Sequence, residues 1–267
     1  MADTTNFTRF RGALLYANEG HRMSGLPIHV AQTVLGRTLN IGQHGVAYDF
    51  HDFGSEHWVY SKSADSGTIA AVQTNGASQE YGVLRMVGTA TSGDKTELQL
   101  KGLSWRYRSN KKLWAGVRWK TDNAILTGMA FGLASTTTSF VAGAQAASLA
   151  PGVDDGIFMW KGATDTTWSF GTATQSGPNG DGPTRVQVNS TGLGGTIAND
   201  TYVELWIRGD ENGNLHAYVD GSEVAQRLVG ETSIPTDTEL ALTFGFRTGS
   251  AAVRTVQVDW ALAFQDS

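Results

Sequence analysis

The run Tyr202–Val224, YVELWIRGDENGNLHAYVDGSEV, decides the fold class. In an extended chain Val203, Leu205 and Ile207 share one face, and Tyr202, Glu204, Trp206 and Arg208 share the other. Leu215, Ala217 and Val219 then alternate with His216 and Tyr218. Between the two runs lies Gly209–Asn214, GDENGN, a cluster of turn formers. Pairing Leu205 with Ala217 also pairs Val203 with Val219 and Ile207 with Leu215, so every apolar side chain faces one way, as a half-buried hairpin requires. Asp220-Gly221 follows at once, a strong two-residue hairpin signal before Ser222–Leu228.

The same period of two extends outward. Leu240, Leu242, Phe244 and Phe246 alternate with Ala241, Thr243, Gly245 and Arg247. Val256, Val258, Trp260, Leu262 and Phe264 alternate with Gln257, Asp259, Ala261 and Ala263, which predicts one long strand with one apolar face. Upstream, Leu113, Ala115, Val117 and Trp119 form one face, as do Met129, Phe131 and Leu133. Shorter strands are expected at 47–53, 58–61, 68–72, 82–90, 96–101, 156–160, 168–172 and 184–188. Ser139–Leu149, rich in alanine, could hold a short helix or an ordered loop. About a dozen or more strands separated by Gly, Ser, Asn and Asp predict an all-β, antiparallel β-sandwich. Residues 1–47 show little alternation and read as an N-terminal arm or extension, with the sandwich domain at 48–267.

Composition narrows the chemistry. The 267 residues include 33 glycines and no cysteine. Glycine is well above the roughly 7% of an average chain. Turns account for part of it, and Gly116, Gly132 and Gly245 sit inside strands where another layer can approach closely. Without cysteine there is no disulfide scaffold, thiol nucleophile or thiolate metal site. A net charge of −5 argues against general nucleic-acid binding. No apolar run reaches the 18 residues of a membrane helix. The first ten residues, MADTTNFTRF, lack the basic and apolar segments of a secretory signal. Synthesis and assembly in a cytoplasm are therefore expected, with no membrane partner.

Motifs for catalysis are scarce. Retaining glycosidases on sandwiches place carboxylates two residues apart on one strand, about 5 Å from each other. None of the nine glutamates here has Asp two residues later. The nucleophile elbow and the phosphate and dinucleotide loops are also missing. Asp49, His51, Asp52, Glu56 and His57 in YDFHDFGSEH could ligate a metal, but a polar strand face and its turn explain them better. Asp210, Asn212 and Asn214 have calcium-loop spacing, yet the glycine stands at 213 and the bidentate glutamate is missing. A hairpin turn accounts for them, and for the adhesion-like tripeptide Arg208-Gly209-Asp210. No catalytic residue, metal or cofactor is assigned.

Two surfaces remain as candidates for contact. Trp206, His216 and Tyr218, with Glu204, occupy the face opposite the apolar one. Such rings can stack on sugars, although packing or a protein interface is the preferred reading. Lys101–Lys120, KGLSWRYRSNKKLWAGVRWK, carries seven basic residues and no acid. Arg106, Arg108, Lys111 and Lys112 could meet an acidic partner; equally, they form a solvated hairpin whose cations cover aromatic surface.

The block Tyr202–Val224, then Ile234-Pro235, Leu240–Arg247 and Val256–Phe264 (VQVDWALAF), resembles the C-terminal half of a concanavalin A-like (laminin G-like) jelly roll. KLWAGVRWK at 112–120, GMAFGLA at 128–134 and DDGIFMW at 154–160 match the same arrangement. The resemblance covers about residues 48–267. Its order is similar to that of structural proteins of tailed-bacteriophage virions, especially capsid decoration proteins. That resemblance implies a virion protein that binds the major capsid protein on the capsid exterior and stabilises the lattice as a homotrimer. The missing carboxylate pair and the absent cysteines predict a protein that is not an enzyme, with a polysaccharide-cleaving enzyme of non-standard site as the least favoured reading. A lectin-like, carbohydrate-binding module for host-surface attachment is the alternative, as is a tail-associated structural protein.

Overall fold

A computed structural model describes residues 6–10, 13–17, 43–48, 50, 57–63, 67–72, 83–101, 105–135, 140–141, 155–174, 184–188, 197–230 and 234–266. These hold no helix and seventeen strands. Asn6–Phe10 (β1) and Ala13–Ala17 (β2) form a hairpin of their own. Gln43–Tyr48 is β3, Trp58–Lys62 β4, Thr68–Val72 β5, Val83–Val87 β6 and Lys95–Leu100 β7. Leu113–Thr121 is β8, Thr127–Ala134 β9, Gly156–Lys161 β10, Ser169–Thr174 β11 and Thr184–Val188 β12. Val203–Gly209 is β13, Leu215–Val219 β14, Ser222–Arg227 β15, Ala241–Thr248 β16 and Thr255–Asp266 β17.

They build two antiparallel sheets. One runs β12-β11-β10-β9-β16-β7-β4; the other runs β15-β14-β13-β8-β17-β6-β5, with β3 also paired to β17. The apolar faces read from the sequence meet between them. Leu113, Ala115, Val117, Trp119, Val203, Leu205 and Ile207 oppose Met129, Phe131, Leu133, Leu242, Phe244 and Phe246 in one core. Trp119 stacks on Trp168 with ring centroids 5.9 Å apart, and Trp58 meets Phe244 edge-on at 5.4 Å. A smaller cluster, with Phe140, Val141, Phe158 and Trp160, covers the outer side of the seven-stranded sheet.

The decisive hairpin forms, two residues out of the expected register. Leu205 pairs with Val219 and Ile207 with Ala217. A shift of two preserves the faces, so the core is the same. The turn sets the register. Asp210 N–H donates to the Asn214 carbonyl and Gly213 N–H to the Asp210 carbonyl. Gly213 sits at φ +81°, giving a three-residue loop closed by a left-handed glycine. The next turn is the two-residue one that Asp220-Gly221 signals, both residues having positive φ.

β17 departs from simple alternation. Its register slips between Val258 and Trp260, so Asp259 is an extra residue in the strand. Val256 and Val258 face the core before the bulge, and Ala261 and Ala263 face it after. Trp260, Leu262 and Phe264, expected in the core, lie on the opposite face. β3 also differs: it runs Gln43–Tyr48, not 47–53, because its span follows its pairing with Ala261–Asp266. It crosses position 47, where the sequence divides into arm and domain. The segment 139–149 lies outside the described residues except for Phe140 and Val141.

Candidate functional site

The bulge builds the outer face of the eight-stranded sheet. Across β13, β8 and β17 three rows lie side by side: Glu204–Arg118–Trp260, Trp206–Gly116–Leu262 and Arg208–Trp114–Phe264. β14 extends two of them, with Tyr218 opposite Trp206 and His216 opposite Arg208. Trp206 lies over Gly116, where a Cβ would come 2.4 Å from the indole. Its ring centroid is 5.0 Å from that of Trp260. Only 1% of Trp206 is exposed, so it is a floor and not a free platform.

Charged groups rim this floor. Arg118 places Nε 3.5 Å from Glu204 Oε1 and donates through a terminal nitrogen to Asp259. Its guanidinium also lies 4.1 Å from the centroid of the Tyr202 ring. The Glu204 N–H donates to Asp220 Oδ1 at 2.8 Å. Burial pushes the Glu204 carboxyl up to about 7, against the pull of Arg118. Arg208 packs over Trp114 at 5.2 Å.

His216 and Tyr218 are half-buried, with near-parallel rings 6.4 Å apart. The two imidazole nitrogens lie 3.0 Å from Glu223 Oε1 and 3.2 Å from Asp210 Oδ2, which fixes the ring. Burial raises the Tyr218 phenol, keeping it a neutral hydroxyl. Asp210 accepts the N–H groups of Asn212 (2.9 Å) and Asn214 (2.8 Å) and the Asn214 side-chain amide (3.1 Å). Burial alone would raise its carboxyl, but these donors and His216 hold it down to about 2. The calcium-like spacing is thus a turn held by the aspartate's own acceptors. Gly209 and Asp210 are buried, so the adhesion-like tripeptide is not displayed. Among the described residues no group of three or more His, Asp or Glu side chains is arranged to hold a metal ion. Asp49, His51, Asp52 and Glu56 lie outside them.

The basic stretch divides by contact. Trp105, Tyr107 and Trp119 join the core. Lys112 pairs with Glu211 at 3.6 Å. Arg106 and Arg108 line a cleft of about 540 Å³ at the end of the sandwich, between residues 106–110 and Val229, Gly230, Ile234 and Thr236. Sequence reasoning placed Tyr202 on this face but missed Arg118, Glu223, Asp259 and Trp260 as parts of it. An acid amid the apolar run VDWALAF was the signal for the last two.

No family model matches the chain, and no curated protein matches it. Solved structures do. The Emp47p carbohydrate recognition domain superposes with a TM-score of 0.52 at 11% identity, covering 86% of this chain and 100% of that one. An endo-1,3-β-glucanase from Streptomyces sioyaensis gives 0.54 at 11%, covering 86% and 99%. An endo-β-1,4-glucuronan lyase from Trichoderma reesei gives 0.50 at 16%, covering 81% and 93%. The fold is the concanavalin A-like jelly roll. At these identities the likeness extends to the fold alone. It overturns the expectation that the chain is not an enzyme, because glucanases and a lyase share this architecture and the fold gives no ground for that exclusion. None of these structures lends support to capsid decoration.

Proposed function

We propose that the chain is a lectin-like, carbohydrate-binding module whose recognition surface lies around His216 and Tyr218. The observation that carries this reading is the half-buried, near-parallel His216–Tyr218 pair, with Glu223, Asp210 and Arg208 at its edge. Saccharides present apolar C–H faces to rings and hydroxyls to charged or amide groups; a ring pair bordered by carboxylates and a guanidinium supplies both. The carbohydrate-recognition and carbohydrate-cleaving proteins that share the fold support the same reading.

A glycan array with the whole chain tests it. Binding to a defined set of glycans is expected, weakened at least tenfold in Tyr218→Ala. Tyr218 is half-buried at the sheet's outer face, so circular dichroism should stay unchanged. Binding to no glycan, or equal binding by the variant, would refute the proposal. The capsid-decoration proposal rests on the sequence resemblance, and co-purification with particles is its own test.

A further inference from the structure

The cleft beyond the β13–β14 turn is lined by residues that the His216–Tyr218 surface does not use. Arg106, Arg108 and Ser109 line it together with Val229, Ile234 and Thr236. At about 540 Å³ it falls within the range of small-ligand sites, roughly 300–1,000 Å³. Among the described residues that line it none is acidic, in a protein of net charge −5. Among the described residues no carboxylate pairs with Arg106 or Arg108.

Hydrogen bonds fix the Arg106 side of the cleft. The Arg106 backbone is held in both directions by the Gln265 amide: its N–H donates to Gln265 Oε1 at 3.2 Å, and its carbonyl accepts from Gln265 Nε2. The Arg106 Nε donates to the Thr236 carbonyl at 3.2 Å, which orients the guanidinium and leaves its terminal nitrogens for another acceptor. Tyr107 is buried beneath and donates its hydroxyl to the Gly213 carbonyl. The same turn reaches the proposed sugar surface. Asn214 binds Asp210 through its amide nitrogen and the Val229 N–H through its oxygen. Asp210 in turn holds His216.

We infer that this cleft is an anion subsite of the glycan-binding surface, and that it selects saccharides bearing an acidic group. Arg106 and Arg108 would grip the anion, while Val229 and Ile234 take the apolar edge of the ring. A guanidinium fork suits a planar carboxylate, and a sulfate ester is the other source of the same charge. The inference rests on the carbohydrate reading.

Calorimetry with four probes tests it: tetraglucuronate, cellotetraose, a sulfated galactan oligosaccharide and poly-glutamate. Tetraglucuronate or the sulfated sugar is expected to bind at least tenfold more tightly than cellotetraose, with affinity falling as salt rises. Comparing the two acidic sugars distinguishes carboxylate from sulfate. Arg106→Gln should remove that preference. Arg108→Gln, at an exposed position, should weaken acidic sugars at least threefold with no effect on folding. Equal binding of acidic and neutral sugars would overturn the subsite and leave the carbohydrate reading standing. An acidic preference that survives both arginine variants would also overturn the subsite. Binding of poly-glutamate alone, or of none of the four, would overturn it too; the glycan array then decides the broader reading separately.

Discussion

Glu204 holds its proton more tightly in the folded chain than in the unfolded one, because burial raises its carboxyl from 4.5 to about 7. Its contribution to stability is therefore complete below about pH 4.5 and is lost as pH rises through about 7. Glu204→Gln carries no such dependence. Thermal melts from pH 4.5 to 8 should show the variant matching the parent in acid and exceeding it by several degrees at pH 8. The difference corresponds to at most a few kcal/mol. Parallel curves across the range would refute this account. Asp210 and Asp94 pull the other way in both proteins, since each carboxyl lies below its usual range and its contribution is lost toward acid pH. Burial opposes the shift at Asp94, and hydrogen bonds from Ser63 and Thr89 overcome it. At this scale the sequence shows Glu204 beside Trp206. It cannot show Arg118 and Asp259, which arrive from other strands.

At the scale of elements, β17 is the instructive case. Nine residues of near-perfect alternation, Val256–Phe264, predict one apolar face, and the bulge at Asp259 splits that face between two sides. The core takes the small residues Ala261 and Ala263, while Trp260 packs on Trp206 outside. Ala261→Leu separates the two arrangements. With Ala261 fully buried, the larger side chain overpacks the core and should cost about 1–3 kcal/mol in denaturant unfolding. A neutral result would place Ala261 on the outer face. The Asp210–Asn214 and Asp220-Gly221 turns were legible in advance, because turn residues act on their own backbone. Only the register of the first was missed: counting apolar pairs cannot distinguish two registers that share a face.

Across the whole molecule, the first and last parts of the chain meet. β3 pairs with Ala261–Asp266 of β17, extending the sheet that carries the proposed binding face. Removing residues 1–47 would strip nearly all of this partner strand and leave backbone N–H and C=O groups of β17 without a ladder. The truncated chain should melt several degrees lower and associate on size-exclusion chromatography. An unchanged melt and a monomeric profile would show that the sandwich does not need β3. The long-range pairing gives no local sign in Gln43–Tyr48, which alternates poorly, so the sequence alone marks this stretch as part of an arm.

By itself the sequence determined the class of fold, most of the core and the turns, because these follow from a period of two and from residues that bend their own backbone. It also marked the Arg106–Lys112 stretch as locally basic against an acidic whole. Tertiary structure alone decided which of those cations line a cleft, that Trp206 is a buried floor over Gly116, and that Asp259 turns Trp260 outward. Each of these depends on what a neighbouring strand presents at the same height in the sheet. Strands distant in the chain are brought to that height by pairing, and pairing registers are set by turns and bulges that alternation does not encode.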